Sequence, residues 1–85
     1  MATIEELNEP IDVVTVFRDG RMAPVKFRWA GRTHLIARVA YRWVTREGAH
    51  PVYHFSAVTG DDQTVEIILN TQNMQWSIAK VHMEG

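Results

Sequence analysis

Residues 33–45 read Thr33-His34-Leu35-Ile36-Ala37-Arg38-Val39-Ala40-Tyr41-Arg42-Trp43-Val44-Thr45, and the period assigned to them decides the fold. Leu35 with Val39, and Arg38 with Arg42, fit the i, i+4 spacing of a helix. Leu35, Ala37, Val39, Tyr41 and Trp43 fit the stricter period of two, which predicts a strand. β-branched and aromatic residues dominate the segment, as strands favour. Thirteen extended residues at about 3.3 Å each span roughly 43 Å, too long for a small flat sheet. The segment is therefore expected to bend, most easily near Ala37 to Ala40, and to serve two half-sheets.

Working outward, turn signals punctuate both flanks. Gly31-Arg32 precedes the segment, and before it residues 23–30 alternate Val25, Phe27 and Trp29 with Lys26 and Arg28. Asp19-Gly20 is a tight-hairpin dipeptide. It connects residues 23–30 to residues 11–18, where Ile11, Val13, Thr15 and Phe17 share a face. Downstream, Arg46 to His50 forms a loop, and residues 51–58 follow with Tyr53, Phe55 and Ala57 on one side. Thr59 to Asp62 is a turn, residues 63–69 a strand, Asn70 to Asn73 a turn, and residues 74–83 a last strand. The expected fold is all-β: a six-stranded antiparallel meander, strongly bent or curled into a small, partly open barrel. The expected core is Val25, Phe27, Trp29, Leu35, Val39, Tyr41, Trp43, Phe55, Ile67, Trp76 and Ile78.

A chain of 85 residues holds one core. Residues 11–83 are expected to form the single β domain. Residues 1–10 read as an N-terminal arm or a short helical turn, with Thr3 as cap and Glu5 and Glu6 suited to a helix start. There is no cysteine, which excludes disulfide staples and cysteine-ligated zinc. No apolar run approaches a membrane span and no signal segment opens the chain, so the expected location is the cytoplasm.

The net charge of −1 conceals a division along the chain. Residues 1–17 carry −4, residues 18–46 carry +7 and residues 47–85 carry −4. Eight of the nine bases lie in the middle segment, and all but Lys26 of those are arginine. Lys26 and Arg28 share the outward face of one strand, and Arg38 and Arg42 are assigned one face of the next. Guanidinium forks suit phosphate oxygens, and small β barrels bind single strands through basic, aromatic-studded faces. Lys26, Arg28, Arg38 and Arg42 are thus the candidate nucleic-acid-binding residues. The competing reading is a solvated face whose charges pair with acids such as Asp12 or Glu66, which the isoelectric point near 6.4 favours.

Trp29, Trp43 and Trp76 are assigned to the core, because large aromatics supply burial that a chain without disulfides needs. His34, His50, His54 and His82 lack metal-ligand spacing, so no metal or cofactor is expected. Ser56 and Ser77 lie in no nucleophile elbow, no phosphate loop is present, and Asp61-Asp62 reads as turn chemistry. No catalytic residue is expected, and the chain reads as non-enzymatic. Val14, Val16, Ile36, Val44 and Ile68 lie opposite the assigned core face, which makes self-association an alternative mode of action.

The run Pro24-Val25-Lys26-Phe27-Arg28-Trp29-Ala30-Gly31-Arg32, followed by Trp43 and later by Trp76, resembles a bacterial family of small β domains of unknown function. Its members occur alone and as a tail on inactive polymerase homologues of mutagenic DNA repair. The likeness covers roughly residues 11–82 and leaves out the acidic first ten. That family has no established activity, so the resemblance supplies no catalytic residue. It implies an accessory module that works beside DNA-handling proteins, with a DNA-repair protein as partner.

Overall fold

The computed structural model describes residues 2–84. Six strands follow one another: β1 (Ala2–Arg18), β2 (Arg21–Trp29), β3 (Arg32–Glu47), β4 (His50–Thr59), β5 (Thr64–Asn70) and β6 (Gln75–Glu84). Each is antiparallel to the next, and β1 also pairs with β6, so the meander closes into a ring. This is the all-β, six-stranded antiparallel meander expected from the sequence. The ring is uneven, with principal extents of 39 × 26 × 24 Å.

Residues 2–10 are strand, which replaces the reading of an arm or short helical turn. They pair with β6 from Ala2↔Glu84 to Ile11↔Trp76. Six helical residues cannot offset the cost of a helix nucleus, whereas the edge of β6 offers a ladder at once. Beyond Ile11 the strand changes partner, and Asp12 to Arg18 pair with β2. β1 therefore serves two half-sheets, as β3 does.

Two hairpins share one turn geometry. Asp19 and Gly20, at φ 54° and 74°, close Arg18 onto Arg21, as the dipeptide predicts. Ala30 and Gly31, at φ 52° and 76°, close Trp29 onto Arg32. The second turn sets the register of β3: Lys26 faces Leu35 and Phe27 faces His34.

That register corrects the core assignment. Phe27 is buried and its ring stacks on His34, with centroids 5.0 Å apart. Leu35, opposite Lys26, points outward and is 64% exposed. Further along β3, pairing with β4 slips twice, between Ile36 and Arg38 and between Val39 and Tyr41. Each slip leaves one extra residue, Ala37 and then Ala40, as a bulge that reverses the alternation. The bend thus falls where it was expected. Ile36, Val39, Arg42 and Val44 lie opposite the inward residues Thr59, Ala57, Phe55 and Tyr53. Arg38, Tyr41 and Trp43 lie opposite Val58, Ser56 and His54, on the outer face. Tyr41 and Trp43 are accordingly 73% and 40% exposed, not core.

The remaining core agrees better. Phe27, Ile67 and Ile78 are fully buried among Ile11, Phe55, Ala57, Val65 and Val81. Val25, Trp29, Val39 and Trp76 are half-buried. At the β4–β5 turn, the Thr59 hydroxyl donates to Asp61 and accepts from the Gln63 amide at 3.2 Å. The hydroxyl holds the Asp61 carboxyl below the usual carboxylate range. No helix among the described residues is long and apolar enough to cross a membrane.

Two outcomes follow from these placements. Ile67→Ala should cost about 3 to 4 kcal/mol, and Tyr41→Ala well under about 1 kcal/mol, in urea unfolding of matched variants. Asp61 has a lowered folded pKa, so its contribution is present above the unfolded value and lost as pH falls through the folded one. The melting-temperature gap between wild type and Asp61→Asn should therefore narrow as pH drops from about 5 toward about 2.

Candidate functional site

The changes of partner in β1 and β3 split the wall of the ring. β2 pairs with β3 only from Lys26 to Trp29, against Leu35 to Arg32. Arg21 to Pro24 pair with β1 alone, Val25 is left over at a bulge, and Ile36 to Glu47 pair with β4 alone. Two hairpin arms, β1–β2 and β3–β4, stand apart with a cleft of about 460 Å³ between them. Phe17, Arg21 and Met22 line it from the first arm, Arg42, Trp43 and Val44 from β3, Tyr53, His54 and Phe55 from β4, and Leu69 and Met74 from beyond. Phe17, Val44 and Met74 are exposed at its mouth.

Arg42 bridges the split. Its Nη1 donates to the Met22 carbonyl at 2.7 Å, and its guanidinium carbon lies 5.5 Å from the centre of the Phe55 ring. Partial desolvation lowers its pKa from the ordinary arginine value, and the nearby Arg21 cation lowers it further. Among the described residues no carboxylate comes within ion-pair distance of it; His54 with Glu66 is the pair that forms. The position holds two cations close together beside an aromatic floor.

The four sequence-predicted residues are therefore divided. Lys26 and Arg28 are exposed and lie opposite Val14 and Asp12 on β1. Arg38 is on the outer face of β3, opposite Val58. Arg42 is on the inner face, because the bulge at Ala40 separates it from Arg38; the assignment of those two to one face is corrected. Arg28 faces Asp12 across the ladder, yet the two form no ion pair within 4.0 Å. Ile36 and Val44, read as outward, belong to the inner side.

Sequence reasoning missed the outer platform of β3. Trp43 stacks on His54, with centroids 5.0 Å apart and planes 12° apart. His54 Nε2 lies 2.8 Å from Thr45 Oγ1, and Nδ1 lies 3.6 Å from Glu66. The Thr45 contact orients the imidazole, and the indole stacks on it. The cross-strand pair Trp43↔His54 was the available signal, hidden by the bulge count. His34 packs against Phe27 and Trp29 instead, and no metal-binding group of three appears among the described residues.

Compared with known proteins, the chain matches no family model, no curated protein and no solved structure.

Arg42→Ala removes a charged hydrogen bond and a cation–π contact at a partly exposed site. It should cost about 1 to 2 kcal/mol. Amide exchange at Met22 and Ala23 should accelerate while that at Ile67 and Ile78 changes only with global stability. Unchanged exchange in the β1–β2 arm would show that Arg42 does not tether it.

Proposed function

We propose that this chain is a non-enzymatic binding module that takes single-stranded nucleic acid on the outer face of β2 and β3. The observation that carries the reading is the exposure of Tyr41 and Trp43 on the same outer face of β3 as Arg38, with Lys26 and Arg28 exposed further back on β2 and no acid in ion-pair contact with any of these cations among the described residues. Bases stack on aromatic faces without regard to sequence, while guanidinium and ammonium groups follow the phosphates. His54 backs the Trp43 ring, so less side-chain freedom is lost on stacking. The resemblance of the Pro24–Arg32 run to domains that accompany repair polymerases points the same way. The slight net negative charge argues for weak, salt-sensitive affinity rather than a tight general binder.

A titration with oligo-dT tests this. Trp43 is the most exposed of the three tryptophans, so binding at low salt should quench fluorescence. Trp43→Phe should abolish most of the quenching and weaken binding modestly. The log–log slope of affinity on salt should fall by roughly 0.7 for each of Lys26→Ala and Arg38→Ala. No quenching at low salt, or a slope indifferent to both changes, would overturn the reading.

A further inference from the structure

A different feature, the paired edges that flank the cleft, carries an inference beyond this one. We infer that the split between β2 and β3 is a docking site for an extended acidic–apolar peptide segment, which adds as a strand between the two arms. A strand edge with unpaired N–H and C=O groups is a template for another strand. Here two such edges, Arg21 to Ala23 and the outer part of β3, border one apolar cleft. The Arg42 side chain crosses between them and hydrogen-bonds the Met22 carbonyl, where a backbone ladder would otherwise run. It acts as a placeholder for the missing strand.

The chemistry of the occupant follows from what borders the gap. Alternate side chains of an added strand point to one side, so apolar residues at every second position reach Met22, Val44 and Phe55. Arg21 and Arg42 both line the cleft, repel each other there, and have no carboxylate within ion-pair distance among the described residues. A carboxylate on the incoming segment would relieve that repulsion and accept from both forks. Nucleic acid fits this interior poorly, because its phosphates would be desolvated against methionine, valine and leucine. A second copy also fits poorly. Joining two β3 edges would bring Arg42 and Arg46 of each copy together.

The test uses the full chain and a short capped peptide of alternating isoleucine and threonine with glutamate at both ends. Two counterparts serve as comparison, one ended with lysine and one N-methylated at alternate amides. The expected result is saturable binding of the glutamate peptide. Slowed amide exchange should appear at Met22 and Ala23 and in Arg42 to Val44. The N-methylated and lysine-ended peptides should bind at least about tenfold more weakly. Arg42→Gln, checked for native fold by circular dichroism, should reduce the preference for glutamate over lysine and keep the effect of N-methylation. Equal binding of the N-methylated peptide would overturn strand addition. Equal binding of the lysine peptide would overturn the acidic partner. Displacement of the peptide by oligo-dT from the same amides would assign the cleft to nucleic acid. A dimer of the free chain that protects those amides would assign it to a second copy.

Discussion

The bend in β3 at Ala37 and Ala40 governs most of what is distinctive in this molecule. Long strands wrapped around so small a core must turn corners, and a bulge turns one while sacrificing a single paired residue. Alanine suits both sites: an unpaired residue with a small side chain forces little else to move. Two bulges in close succession send the second half of β3 away from β2 and onto β4. β1 makes the complementary change of partner at Ile11 and Asp12, from β6 to β2. The ring then closes at one end around Phe27, Ile67 and Ile78 and gapes at the other. The cleft and the exposed outer face of β3 are both consequences of these partner changes.

Arg42 shows what the gaping end costs. An inward-facing register position opposite Phe55 would ordinarily hold an apolar side chain. It holds a guanidinium instead, desolvated in part and repelled by Arg21. A charged hydrogen bond to Met22 and the Phe55 ring offset part of that cost. An apolar residue would avoid it altogether, but would leave the Met22 carbonyl without its cationic donor and the two arms untethered.

The legible part of the fold was local, and the illegible part was relational. The strands from residue 11 onward, the Asp19-Gly20 hairpin, the meander order and the site of the β3 bend follow from alternation, turn residues and length, whereas the closure of the ring by residues 2–11 on β6 does not. The face of β3 does not, because it depends on counts between strands. A two-residue turn at either Ala30-Gly31 or Gly31-Arg32 sets Leu35 opposite a basic residue, Lys26 or Arg28. The apolar alternation of the strand alone concealed this. The bulges then reversed the pattern twice, so Val39 points inward from the expected set while Tyr41 and Trp43 point out. One slipped residue changes the face of everything after it. The same slip divided the predicted basic group, leaving Lys26, Arg28 and Arg38 outside and Arg42 within.

Exposed apolar residues are ordinary when scattered, but here they are grouped. Phe17, Val44 and Met74 meet at one mouth, and Tyr41 and Trp43 follow each other on one face. Burying an aromatic side chain of about 150 to 250 Å² returns roughly 4 to 6 kcal/mol before entropy. A domain of this size has a total margin of about 4 to 13 kcal/mol. Leaving three aromatic side chains partly or largely outside therefore forgoes stabilisation comparable to the whole margin. A chain with no disulfide has little from elsewhere to replace it. Had packing alone determined β3, a three-residue turn after Trp29 would have put Leu35 opposite Phe27. Without the bulges, Tyr41 and Trp43 would then have followed it inward. The observed register does the reverse, and it places aromatic rings and arginines where a ligand can reach them.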